Sequence, residues 1–252
     1  MSALTTMHRV ACALVPGLFA VALGAAAMET PYPMHQHGHG LWHLAQMDQL
    51  EYRAGDGTEA LRWDGFGWIG GDWNRLWIRS EGEHAVGQGA TDAELHILGS
   101  RLVAPFWEAQ AGVRLQGETG DGADHGLVHG VLALQGLAPY RFETTAALFL
   151  STEGDLSLRL ASEREWLVTQ RLALEARFEV EAAASRLEAL DTPSGLNRFE
   201  LGLRLRYYVE REFAPYLGVH FERRLGNTAD SARAAGAGAG DLQIVGGVSF
   251  CF

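Results

Sequence analysis

The chain has 252 residues and a formal net charge of −11 at pH 7, and all of its basic residues other than histidine are arginine. A net-acidic protein is a poor candidate for binding nucleic acid, because neutralising phosphates requires basic patches. Cys12 and Cys251 are its two cysteines, and only Cys251 lies beyond the leader predicted below, so an internal disulfide bond is excluded from the mature chain.

Residues 1–27 are predicted to be a secretory signal peptide. His8 and Arg9 give a short, weakly basic start, and the apolar run "VACALVPGLFAVALGAAA" ends in an A-x-A cleavage pattern. A transmembrane anchor is the alternative, but Pro16 interrupts the short run. Cleavage would remove Arg9 as the one formal charge, so we expect a mature chain that starts at Met28 with a net charge of −12.

Residues 28–45 are predicted to be a short, disordered segment on the periplasmic side. The stretch "PYPMHQHGHGLWH" combines histidines and a methionine with prolines and glycines and cannot form a core. Imidazole suits copper, zinc and nickel, and a thioether favours Cu(I). A solvated tail with incidental histidines is the alternative. The candidate metal ligands in and just after this segment are Met34, His35, His37, His39, His43 and Met47.

From residue 46 onward the dominant pattern has a period of two. In residues 197–210 apolar side chains occupy one parity, and arginine and glutamate occupy most of the other, as expected for a strand with two different faces. Many of the predicted strands are long enough to span a bilayer when tilted. The twelve predicted strands are 46–54, 61–71, 73–82, 91–101, 105–117, 125–137, 139–151, 155–166, 169–182, 197–210, 213–225 and 241–252.

The connections between these strands alternate between short turns and longer polar loops, which is typical of outer-membrane barrels. The stretch "LQIVGGVSFCF" gives a last amphipathic strand that contains Phe252. We therefore predict an all-β fold, a transmembrane antiparallel β-barrel of about twelve strands over residues 46–252, in the outer membrane of a Gram-negative cell. Both termini would be periplasmic. A soluble β-sandwich is the alternative.

If the apolar parity faces lipid, the other parity lines the lumen. It would carry mixed charges and the histidines His96, His125, His129 and His220, which we interpret as polar wall residues. Two interpretations stay open: arginine–carboxylate pairs that make the wall rigid, or a polar path for an ion. The predicted charged and polar lumenal residues include Arg75, Arg79, Glu81, Glu94, Glu108, Gln110, Arg114, Gln135, Glu143, Arg159, Glu175, Arg177, Glu200, Arg204, Arg206 and Glu222.

Several long blocks resemble the copper resistance protein B family, among them "WDGFGWIGGDWNRLWIRSEGE" (63–83), "APFWEAQAGVR" (104–114), "LGLRLRYYVEREFAPYLGV" (201–219) and "GNTADSARAAG" (226–236). The resemblance implies an outer-membrane barrel that binds or moves copper, with a Met- and His-rich N-terminal segment that is shorter here than in many relatives. The expected partners are the copper ion, outer-membrane lipid and periplasmic copper-carrying proteins.

Two rival functions remain at this stage. The first is a general or solute-specific porin whose histidine tail is incidental. The second is an outer-membrane hydrolase, for which Ser80, Ser100 and Ser157 are the candidate nucleophiles. No G-x-S-x-G signature surrounds these serines, so we expect a protein that is not an enzyme.

Overall fold

The computed structural model describes residues 40–55, 59–87, 89–120, 125–184, 195–226, 229 and 240–252. These residues form long β-strands and a 3-10 turn at Pro139–Arg141. The strands are β1 Trp42–Ala54, β2 Glu59–Gly70, β3 Asn74–Ala85, β4 Thr91–Ala104, β5 Trp107–Thr119, β6 His125–Ala138, β7 Phe142–Ser151, β8 Leu156–Leu167, β9 Leu172–Ala183, β10 Gly195–Tyr207, β11 Phe213–Arg224 and β12 Gly240–Cys251.

The strands close into one antiparallel barrel in which each strand pairs with its neighbours in the chain. β1 and β12 close the barrel, and just beyond the last residue of β12 the Phe252 amide donates to the Ala45 carbonyl at 2.8 Å. The predicted twelve-stranded barrel is therefore confirmed. Within the described part of the chain, no helix has the length and apolar character needed to cross a membrane.

The period of two separates an apolar outer face from a largely polar inner face. In β10, Leu203 and Leu205 are 40% and 45% exposed, whereas the intervening Arg204 is 1% exposed and Arg206 is 5% exposed. Leucines that remain exposed on a closed barrel are those that would contact lipid, and the buried arginines line the interior. The alternation that the sequence predicted is thus present in the barrel wall.

The barrel begins earlier than the sequence suggested. β1 starts at Trp42 rather than at residue 46, because residues 42–45 continue the ladder to β2, with Trp42 opposite Gly70 and Ala45 opposite Gly67. Residues 42–45, which the sequence analysis assigned to the end of the flexible segment 28–45, therefore belong to the barrel wall.

Replacing Leu203 by arginine is expected to lower the free energy of unfolding by about 2–4 kcal/mol, because a charge on the lipid face is most costly near the bilayer midplane. Leu203 lies near the middle of β10 and is paired with central residues of both neighbouring strands. The measurement is urea unfolding in liposomes. Leu242→Arg, near the start of β12, is the matched control and should cost about 0–1 kcal/mol. Equal costs at the two positions would contradict this placement.

Candidate functional site

Only part of the predicted copper-binding segment lies within the described residues. Four of the six predicted ligands lie outside them, namely Met34, His35, His37 and His39. The other two, His43 and Met47, are on β1, where His43 is paired with Ile69 and Met47 with Phe250. Ile69 is exposed on the outer face, so His43 faces outward, and Met47 shares its parity. Four residues along a strand separate their Cα atoms by about 13 Å, too far to share one ion.

Glu51 is the centre of a buried ion-pair cluster inside the barrel. Its side chain is fully buried, and it accepts hydrogen bonds from Arg53 Nε at 2.7 Å and from Arg204 Nε and Nη2 at 2.9 Å each. The Tyr216 hydroxyl donates a further bond at 3.1 Å. Two arginines thus share one carboxylate whose two oxygens are both bonded, which is the arrangement that makes a buried ion pair tolerable.

A β-bulge in β1 places two consecutive side chains, Asp48 and Gln49, inside the barrel. The ladder to β2 passes from Met47 directly to Gln49, which leaves Asp48 as the extra residue. Asp48 Oδ1 accepts from both terminal nitrogens of Arg206 at 3.1 Å, and Gln49 Oε1 accepts from Arg204 Nη2 at 3.2 Å. Strict alternation in the sequence places one of these two residues outside, so sequence reasoning missed this pair.

Two arginines form ion pairs across the lumen. Arg159 of β8 reaches β3 and β4, five and four strands away, where its Nη1 is 2.5 Å from Glu81 and its Nη2 is 3.1 Å from Glu94. Arg177 of β9 reaches β2, where its Nη1 is 2.8 Å from Asp64 Oδ2. The lumen is therefore bridged by arginine–carboxylate pairs, which is one of the two arrangements considered from the sequence.

The inner face also carries an apolar patch, of which the sequence pattern had placed only Trp77 inside the barrel. Phe149 is at its centre: the Arg114 guanidinium lies 4.0 Å from its ring centroid, and the rings of His96 and His129 meet it edge-on. The sequence did contain a signal for this patch, because Leu98 and Val131 occupy the same parity on their strands as the lumenal histidines His96 and His129. The buried members of the patch are Trp77, Leu98, Val131, Ala147 and Phe149.

A cavity of about 450 Å³ lies inside the barrel at the end where the longer connections leave the strands. Its wall includes Ala85 and Ala90, which flank the β3–β4 connection, and Arg224, the last residue of β11. We call this cavity the vestibule. Carboxylates outnumber arginines in its wall, and a cleft lined mainly by one sign of charge concentrates counter-ions, here cations. The acidic residues are Glu81, Glu83, Asp92, Glu94, Glu118, Glu179, Glu181 and Glu200, and the basic ones are Arg62, Arg114, Arg159, Arg198 and Arg224.

In each of two groups of lumenal side chains, three candidate metal-ligand atoms lie within 4.8 Å of one another. The groups are Glu81, Glu94 and His96, and Glu200, His220 and Glu222. In the first group His96 Nε2 is hydrogen-bonded to Glu94 at 3.1 Å, and Arg159 already contacts both carboxylates. Carboxylate oxygen and imidazole nitrogen are ligands for divalent transition metals. Sequence reasoning placed these residues on the inner face but did not bring them together, because alternation fixes the face of a residue and not the register between neighbouring strands.

Comparison with known proteins gives a consistent result. Residues 41–252 match the family model described as "Copper resistance protein B precursor (CopB)". The chain is 38% identical over 200 residues to "Copper resistance protein B" of Escherichia coli, a match that covers 79% of this chain and 66% of that protein, slightly less than two thirds of its length. It is 33% identical over 228 residues to "Copper resistance protein B homolog" of Pseudomonas syringae pv. tomato (strain ATCC BAA-871 / DC3000), covering 90% of this chain and 76% of the relative.

Solved structures with a similar fold are porins. The KdgM porin has a TM-score of 0.50 at 12% identity, covering 82% of this chain and 99% of its own. The NanC porin has a TM-score of 0.50 at 11% identity, covering 83% of this chain and 99% of its own. At these identities the likeness shows the barrel fold alone.

Proposed function

Since this chain belongs to the copper resistance protein B family, we propose that it is an outer-membrane copper-binding protein, which sequesters copper or passes it across the outer membrane. Family membership supports a role in copper resistance. Binding of the ion is our inference from the ligand chemistry of the segment before β1. A closed barrel with an apolar outer face, similar in fold to porins, is consistent with a place in the outer membrane.

The observation behind this proposal is the concentration of imidazole and thioether groups immediately before the barrel. Met34, His35, His37 and His39 precede β1 within a few residues, and His43 lies near the start of the strand. We propose that these residues form a copper trap, the His/Met segment, beside the barrel mouth. The start of β1 lies at the end with the short connections, which in outer-membrane barrels is the periplasmic end. Met47 lies further along the outer face and is separate from this trap.

The lumen argues against the alternative of a general porin. Arg159 and Arg177 bridge opposite walls through carboxylates, so free diffusion of solutes through the resting barrel is not favoured. Two of the three candidate nucleophiles of the hydrolase alternative, Ser80 and Ser100, accept a hydrogen bond from a tryptophan indole, which makes their hydroxyl oxygens less nucleophilic. The third, Ser157, has no nucleophile signature around it. We therefore propose a non-enzymatic role in binding the ion.

The test is equilibrium dialysis of the purified chain against copper, with zinc in parallel. The triple variant His35→Ala, His37→Ala, His39→Ala is expected to lose most Cu(I) and Cu(II) binding at the segment, because it removes three of the nitrogen ligands. Cu(I) binding should fall further when Met34 is also changed, since a thioether favours the monovalent ion. Wild-type binding at the segment should weaken as pH falls through about 6.5, because only neutral imidazole binds a metal.

Gln36→Ala is the matched control in the same segment, and it should retain wild-type stoichiometry. Sheet content by circular dichroism should be unchanged in every variant, because the altered side chains precede the barrel. Unchanged copper stoichiometry in the triple variant would contradict the proposed trap.

A further inference from the structure

A row of acidic side chains crosses four neighbouring strands on the inner face. Glu179, Glu200, Glu222 and Asp241 occupy directly opposed positions on β9, β10, β11 and β12. Like charges directly opposite one another on neighbouring strands are unfavourable. The row therefore requires cations close to it. Glu179 is 3.2 Å from Arg159, and Asp241 accepts from the Gln243 amide, so the central pair is left to be neutralised from elsewhere.

Arg198 supplies that charge to the central pair. Its Nε lies 2.7 Å from Glu200 Oε1 and its Nη2 lies 3.0 Å from Glu222 Oε2. Arg198 belongs to the wall of the vestibule and is about one third exposed, whereas the Glu200 side chain is largely buried. A guanidinium that is open to the vestibule on one side has a solvated space into which it can move. The two carboxylates are thus held by a displaceable cation. Glu222 also has a second, longer contact with Arg224, whose Nε lies 4.0 Å from its Oε1.

His220 completes the group and has an unusual environment. It is 3% exposed, and neither ring nitrogen makes a hydrogen bond within the described structure. Its Nε2 lies 3.5 Å from Glu200 Oε2. Buried polar atoms are nearly always bonded, and an unbonded imidazole nitrogen beside two carboxylates is available as a metal ligand. By contrast, Nε2 of His96 in the other three-ligand group is bonded to Glu94.

The ligand atoms of Glu200, His220 and Glu222 lie within 4.8 Å of one another. An ion bound about 2.0–2.2 Å from imidazole nitrogen and carboxylate oxygen, as is usual for zinc, holds its ligand atoms within about 4 Å of one another. The ligand atoms therefore need to approach one another by about 1 Å, which a small rotation of the side chains can supply. Glu200 lies in the wall of the vestibule, where excess negative charge concentrates cations. His220 lines an adjoining space whose wall carries four arginines and two glutamates, so the ion would approach from the vestibule side.

We propose that Glu200, His220 and Glu222 form a lumenal binding site for a divalent transition-metal ion. Arg198 holds the two carboxylates before the ion binds and moves into the vestibule when it does. One imidazole and two carboxylates suit divalent copper or zinc, and the group offers no sulfur ligand for Cu(I). Among divalent first-row ions, Cu(II) should bind most tightly. That copper is the ion bound in the cell rests on the proposed function, whereas the site itself does not.

The experiment uses the full-length chain purified in detergent and titrated with Cu(II) against a competing chelator. It is made in the triple-histidine background described above, so that the remaining binding reports the lumen. We expect one Cu(II) per chain in this background. His220→Gln should abolish it, and electron paramagnetic resonance of the bound Cu(II) should show coupling to imidazole nitrogen that His220→Gln removes. Arg198→Gln should tighten binding several-fold, because it removes the competing guanidinium.

His84→Gln is the matched control, since His84 is on β3 with its Nδ1 2.8 Å from the Thr91 hydroxyl, outside the proposed site. It should leave binding unchanged. The proposed site would be wrong if the His220→Gln variant still bound the lumenal Cu(II), or if the Arg198→Gln variant bound Cu(II) more weakly. Loss of copper in the triple variant with no effect of His220→Gln would leave the His/Met segment standing and reject the lumenal site. The reverse pattern would reject the segment and support the lumenal site.

Discussion

Replacing Glu51 by glutamine should lower the free energy of unfolding by about 3–5 kcal/mol, the range seen when one partner of a buried ion pair is removed. The substitution keeps the shape of the side chain but removes the charge that Arg53 and Arg204 share. Arg204 is 1% exposed and Arg53 is 2% exposed, so neither guanidinium can recover its hydration without unfolding. The measurement is urea unfolding of the barrel in liposomes, followed by tryptophan fluorescence.

Glu212→Gln makes the same chemical change in the exposed β10–β11 turn and should shift stability by no more than about 0.5 kcal/mol. A second variant tests the cause. Glu51→Gln combined with Arg53→Met should be more stable than Glu51→Gln alone, because it removes a buried guanidinium that keeps only its bond to the partly exposed Glu83. If Glu51→Gln and Glu212→Gln were equally stable, the buried cluster would not hold the wall together as we argue.

The wall of the barrel could be predicted because its period is local. In β10, alternation between leucine and arginine fixes which residues face lipid and which face the lumen, whatever the rest of the chain does. The lumenal position of Arg204 followed from that alternation, and that of His220 followed from the corresponding alternation in β11. The start of β1 was less predictable, since apolar and polar residues do not alternate between Trp42 and Ala45.

Pairings across the lumen could not be predicted, because they depend on closure of the barrel. Arg159 and Glu81 are 78 residues apart in sequence, and nothing local relates them. The bulge at Asp48 was equally hidden, because it changes parity by one residue without a proline or glycine to mark it. The metal-ligand group was missed for a different reason: Glu200 and His220 meet through the β10–β11 register, which alternation alone does not fix.

Two features of the lumen affect the entry of copper in opposite ways: its acidic wall attracts the ion, and its arginines compete with the ion for the carboxylates. The vestibule is acidic and attracts cations, and it ends at carboxylates that arginines already hold. An incoming ion would exchange with a guanidinium rather than enter an empty channel. Such an exchange keeps the acidic row neutralised, because the carboxylates that lose a guanidinium gain a divalent ion. If the protein only sequesters copper at the ends of the barrel, the arginine–carboxylate pairs that cross the lumen stay closed. If it passes copper through the lumen, those pairs have to open.

Replacing Arg159 and Arg177 together by alanine should raise the single-channel conductance of the barrel several-fold in planar bilayers. These two side chains bridge the lumen to Glu81, Glu94 and Asp64, so their removal takes away both bulk and positive charge and leaves an acidic path. The conductance that appears should be cation-selective, because the freed carboxylates line it. Arg171→Ala, in the exposed β8–β9 turn, is the control and should conduct like wild type. A wild-type barrel that already conducts as well as the double variant would show that the arginine bridges do not close the lumen.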